Sequence, residues 1–195
     1  MKQRDIIPHN QWNTITQEMK FPMQKIYGHL LNADRIIWSQ LMFLNPARPR
    51  AIFCLWMQCH GRLPTKDRMV RFGFTQDNIC SMCKSSVETK EHLFFECNLP
   101  RTTWCTILEW IGFKHTPLNW NDELNWIVAN FNKKGWRARL LKLAFTEVIY
   151  GIWAHRNSVL FGTGSTAILQ AISECIVHRS WVDKRIRNHI ADLLL

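Results

Sequence analysis

Four residues able to ligate a metal, Cys80, Cys83, His92 and Cys97, fall within eighteen consecutive positions in the order C-x2-C-x8-H-x4-C. Zinc takes four ligands in a tetrahedron, from thiolate sulfur and imidazole nitrogen. Two cysteines separated by two residues set both sulfurs on one ion across a tight turn. A histidine and a cysteine five positions apart supply the other two corners where a short helix breaks into a loop. Such a shell leaves no vacant position for water, so its role is structural. Metal binding of this kind contributes about 10 kcal/mol or more of folding free energy in small modules. Cysteine also serves as a small buried hydrophobe, but four potential ligands so closely spaced argue against a mere packing role. Cys54, Cys59, Cys105 and Cys175 lie on apolar helical stripes and are read as core. Cys59 with His60 lacks partners in sequence for a second metal site.

Around this stretch the pattern is helical, and no period-2 alternation is sustained long enough to define a strand. Asn32 is a plausible cap for a helix carrying Ile36, Ile37, Leu41 and Phe43. Ile52, Leu55, Trp56 and Cys59 mark a second helix that Gly61 stops. Thr65 caps a short helix through Met69 and Phe72. Asp77 to Cys97 is turn-like. Arg101 to Ile111 is helical with Trp104, Ile107, Leu108 and Ile111 on one face. Asn121 is placed to cap a short helix through Trp126 and Phe131. Trp136 to His155 is the clearest long helix, with a wide apolar stripe, and Ser165 is placed to cap a last helix through Ile168, Ile172 and Ile176. The expected fold is mostly α: a small helical domain stapled by one zinc site, followed by a helical extension.

The 195 residues carry a formal net charge of +10, which points to an acidic partner. Nucleic acid is the first candidate and an anionic membrane surface the second. The basic residues fall into three clusters: Arg62, Lys66, Arg68 and Arg71; Lys133, Lys134, Arg137, Arg139 and Lys142; and Arg179, Lys184, Arg185 and Arg187. The first cluster directly precedes the zinc loop and is the expected nucleic-acid contact. Contacts to phosphate would bind without sequence preference and weaken with salt. Each cluster also reads as a solvated helix face. No secretory signal or membrane-spanning run is visible, so a nuclear or cytoplasmic protein with reduced cysteines is expected. Paired-metal polymerase or nuclease chemistry needs clustered carboxylates. The chain has no Asp-Asp pair, no phosphate-binding glycine loop and no nucleophile with an evident base. It is therefore not expected to be an enzyme.

The run Gly61-Arg-Leu-Pro-Thr65, then Cys80-Ser-Met-Cys83, then Glu88-Thr89-x-x-His92-Leu93-Phe94-Phe95-x-Cys97, resembles one known domain. It is the zinc-binding domain that follows the polymerase in plant LINE-type (non-LTR) retroelement reverse transcriptases. Trp38, Phe53-x-Leu55-Trp56, Trp104 and Ile152-Trp153-x-x-Arg156-Asn157 are also similar to that family. The resemblance covers residues 25–112 as the domain, with 1–24 as a lead-in and 113–195 as a helical tail. It implies zinc at the same four residues and a role beside a reverse transcriptase in handling RNA or DNA, and the expected partner is RNA or single-stranded DNA. It also implies that the catalytic part of the parent element is missing, as in a fragment, a degenerate copy or a domesticated remnant. The alternative is a zinc-stapled interaction module docking on a reverse transcriptase or host protein. Glu88 and His92 are four apart, so Glu88 is a candidate to orient the imidazole; otherwise it is a solvated charge. Leu93, Phe94 and Phe95 read as anchors of the metal loop to the core, or as a stacking surface for bases.

Overall fold

The computed structural model of the chain describes residues 37–131, 135–162 and 167–190. By its contacts the chain divides into Met1–Ser39 and Gln40–Leu195. A short 3-10 helix covers Ile37–Leu41. The helix expected after Asn32 otherwise falls outside the described residues, and Phe43, assigned to it, is exposed.

Pro49 opens α1, Pro49–Cys59. Proline suits a first helical position because its missing N–H would have no intrahelical partner there. The buried face is Ala51, Cys54, Leu55 and Gln58, one position round from the expected Ile52, Leu55, Trp56 and Cys59. Gln58 turns inward, its amide reaching the Lys90 carbonyl at 3.4 Å. Trp56 stays half-buried beside the rings of Phe53 and His60. Gly61, at φ +59°, ends the helix. Its N–H and that of Arg62 donate back to Gln58 and Met57, a paired closure that needs a left-handed residue.

The short α2, Lys66–Arg71, follows. After the metal loop come α3, Asn98–Trp110, and α4, Trp120–Phe131. Then come the long α5, Trp136–Phe161, the α6 helix, Ile168–Val182, and a final turn, α7, Arg187–Ile190. The apolar face of α3 is as expected, with Trp104, Ile107, Leu108 and Ile111 all buried. Asn119 caps α4, not Asn121: its side-chain oxygen accepts the Asp122 N–H at 3.1 Å. Ser165 lies outside the described residues. Among those residues there is no strand, only one antiparallel bridge between Ile79 and Val87.

Helix α5 is the axis of the fold, with α1, α3, α4 and α6 packed against it. Every residue from Leu140 to Ile149 is buried, so the expected stripe has become a helix enclosed on all sides. Its polar residues must then find partners inside. The Glu147 carboxylate accepts the Arg48 backbone N–H at 2.9 Å and the Arg48 guanidinium at 2.9 and 2.5 Å. Thr146 accepts from the Asn45 amide at 2.8 Å. The segment beyond residue 112 thus supplies the centre of the core. Among the described residues no helix is long and apolar enough to cross a membrane.

Candidate metal centre

Two local structures carry the four ligands. Cys80 and Cys83 sit in a tight reversal between Ile79 and Val87. The Cys80 N–H donates to the Ser86 carbonyl at 2.8 Å, and the Lys84 N–H returns to the Cys80 carbonyl at 2.9 Å. Lys84 takes the left-handed conformation, φ +54°, that lets the chain double back after the second cysteine. His92 and Cys97 bracket a single π-helical turn, His92–Glu96. In an α-helix, positions five apart point about 140° away from each other. Here the Cys97 N–H donates to the His92 carbonyl five residues back, at 2.8 Å. The widened turn brings residues 92 and 97 to the same side of the helix, which an α-helical turn would not. The rest of that turn faces inward: Leu93, Phe94 and Phe95 are essentially inaccessible. Phe95 packs against Trp120 and Phe145 at ring distances of 5.7 and 6.3 Å. These side chains anchor the loop and offer no surface to a base.

The three sulfurs and one imidazole nitrogen all lie within 4.8 Å of one another. Cys83 Sγ and His92 Nε2 are 3.3 Å apart. A tetrahedral zinc shell with bonds of about 2.0–2.3 Å spaces its donors by roughly 3.4–3.8 Å, so the residues fit the ion with small adjustments. The four ligands share protons closely. The hydrogen bond with the Cys97 thiol, aided by the backbone at Cys83 and Met82, outweighs burial and lowers Cys80 to about 4. Cys83 is lowered as well, chiefly by its bond with Ser85. Cys97, which shares its proton with Cys80, is pushed up. For His92, burial opposes the charged form, but the bonds with Cys83 and Cys80 prevail and raise it. Zinc requires deprotonated ligands, and two of the three thiols, Cys80 and Cys83, are already shifted that way. By contrast, burial pushes Cys54 and Cys59 up to about 12 and raises Cys105 and Cys175, as expected of packing thiols. No second group of metal-ligating residues occurs among the described residues.

Glu88 does not orient His92. Its carboxylate is fully buried. It accepts the Ser81 N–H at 3.4 Å, the Lys66 N–H at 3.0 Å, and the Arg156 guanidinium at 3.0 Å from Nε and 2.5 Å from Nη2. It therefore fixes the turn between Cys80 and Cys83, starts α2 and reaches α5. The expected geometry failed because the peptide of Glu88 precedes the helical turn and its side chain points the other way. The backbone N–H of His92 donates to the Thr89 hydroxyl at 3.1 Å. Sequence reasoning gave Arg156 no role. The available signal was the run Ile152-Trp153-x-x-Arg156-Asn157, which sets a cation one turn beyond the buried Ile152.

Residues 21–104 match the family model described as zinc-binding in reverse transcriptase. The match spans all four ligands and Glu88. Zinc is thus the metal of this cluster, and the segment that holds it is similar to a zinc-binding domain associated with reverse transcriptases. No curated protein and no solved structure matches the chain. Arg156 lies outside the matched span, although it is bonded directly to a residue within it.

The expected nucleic-acid contacts divide into two pairs. Arg62 and Arg71 are exposed. Lys66 is buried, its ammonium 2.7 Å from the Asp77 carboxylate. The Arg68 guanidinium donates to the Gly61 carbonyl and lies over the Phe72 ring. Lys66 and Arg68 therefore hold α2 to its surroundings.

Proposed function

We propose that the chain is a non-catalytic accessory module of a LINE-type (non-LTR) retroelement reverse transcriptase. In this reading it binds single-stranded nucleic acid without sequence preference. The observation that carries the proposal is the closed four-donor shell inside a span matching a reverse-transcriptase zinc-binding family. Zinc there stabilises the loop and meets no substrate. The net charge of +10 supplies the attraction for phosphate. Arg62, in the turn before α2, and Arg71, its last residue, are both exposed and can make such contacts.

Purified without chelator, the chain should carry one zinc ion, and binding to labelled single-stranded RNA and DNA should weaken steeply with salt. Cys83→Ser should lose the metal and helical signal, while Cys175→Ser keeps both. Stoichiometric zinc without any salt-dependent binding would reject the nucleic-acid role and leave the zinc module standing.

One feature supports a second reading, an interaction module docking on a reverse transcriptase or host protein. An apolar groove of about 720 Å³ runs between α3 and α6, with Trp110 and Trp181 among its walls. Exposed tryptophans are common anchors of protein interfaces. Binding of a reverse transcriptase that is lost in Trp181→Ala, with nucleic-acid binding unchanged, would favour this role.

A further inference from the structure

Arg139 and Lys142 of the second basic cluster meet Lys184 and Arg185 of the third, some forty residues on in sequence, while Lys133 and Lys134 lie outside the described residues. The start of α5, the turn before α7 and the loop after Gln40 enclose a groove of about 960 Å³. Its charged lining residues are Arg139, Lys142, Lys184 and Arg185, all cations. Two of them are fixed in place. Arg139 pairs with Asp183, with Nε 3.1 Å from the carboxylate. Lys142 donates to the Gln40 carbonyl at 2.6 Å and to the Phe43 carbonyl. The other two are exposed, and neither side chain has an ion-pair partner among the described residues.

Aromatic rings alternate with these charges. Trp136 stacks on His189 with centroids 4.6 Å apart and planes 10° from parallel. The Phe43 ring, on the groove wall, is 71% exposed. A cationic track with accessible rings is how proteins hold unpaired strands: phosphates meet the charges and bases stack on the rings. A flat anionic membrane cannot follow a concave wall. An acidic peptide would use the cations but would gain little from the rings.

We propose that this groove binds a single-stranded nucleic acid, with phosphates on Lys184 and Arg185 and a base on Phe43. The proposal rests on the nucleic-acid reading above, but places its principal surface at the start of α5. Apart from the loop after Gln40, the groove lies outside the span that matches the zinc-binding family.

The test uses the full chain loaded with zinc. Fluorescence anisotropy would follow labelled oligo-U RNA, oligo-dT DNA, a DNA duplex of the same length and anionic phospholipid vesicles over a salt series. The double variant Lys184→Ala/Arg185→Ala should weaken single-strand binding about tenfold or more and flatten the log–log salt slope by roughly 1.4, for two phosphate contacts. Phe43→Ala should cost about fivefold or more with the slope unchanged, as for a lost stack. Unaltered zinc content and melting temperature would show that the variants fold. If the parent binds but only Arg62→Ala/Arg71→Ala weakens it, the groove is wrong and the broader reading survives. If the parent binds none of the nucleic acids, both fail. Duplex bound as tightly as single strands and indifferent to Phe43→Ala, or binding to vesicles alone, also overturns the proposal.

Discussion

Glu88 accepts four hydrogen bonds from three separate parts of the chain, and two of them come from Arg156. Both partners are withdrawn from solvent, with side-chain exposures of 0% and 2%. A buried ion pair gains little over an apolar pair of similar volume, but removing one partner strands the other. Glu88→Gln should therefore lower stability by about 3–5 kcal/mol, and Arg156→Met by a similar amount. The double variant Glu88→Gln/Arg156→Met should recover much of that loss. Denaturant unfolding at saturating zinc measures all three, and additive losses would show that the two residues are not coupled. A motif-level reading picks out both Glu88 and Arg156 but not that they pair. Spacing of four to His92 suggested a helical relation, whereas the turn containing His92 begins after Glu88, and only the three-dimensional path brings residue 156 to it.

At the scale of elements, spacing read correctly where one face of a helix is apolar and failed where the fold encloses the whole helix. Trp104, Ile107, Leu108 and Ile111 were legible because Arg101, Thr102, Thr106 and Glu109 mark a polar face opposite them. The burial of Lys142, Thr146 and Glu147 was not, because their partners lie about a hundred residues away in the loop before α1. The π-turn was also hidden: C-x-x-C spacing announces a tight reversal, but H-x4-C does not say which helix type closes it. Gly151 is a further case. A Cβ there would lie 2.3 Å from Ile172 Cγ1 and 2.6 Å from its Cδ1, so α5 and α6 touch at a bare backbone. In an exposed helix, Gly→Ala is worth about 1 kcal/mol of stability. Here the sign should reverse, with Gly151→Ala costing about 1–3 kcal/mol through overpacking. The same substitution should cost less in an Ile172→Ala background than in the parent. A thermal melt in which Gly151→Ala raises the midpoint would mean that the two helices stand further apart.

Over the whole molecule, the zinc-binding segment and the helices after it share one interior. Phe95 of the metal loop, Trp104 of α3, Trp120 of α4 and Phe145 of α5 meet ring to ring. A chain ending at residue 112 would lose Trp120, Phe145 and Arg156 together. It should retain zinc affinity through its four ligands yet show no cooperative unfolding transition, whereas the full chain should show one. Calorimetry with and without zinc distinguishes these outcomes, and a sharp transition in the short chain would establish residues up to 112 as an independent domain. The same pairing has a consequence for biosynthesis. Glu88 is polymerised 68 residues before Arg156. At about 5–20 residues per second, the ribosome takes roughly 3–14 s to cover that interval. The thiols and imidazole are complete early in that delay, while the carboxylate beside them still has no cation. The four ligands are thus complete first on the nascent chain, and closure of the core waits for the long helix to leave the exit tunnel.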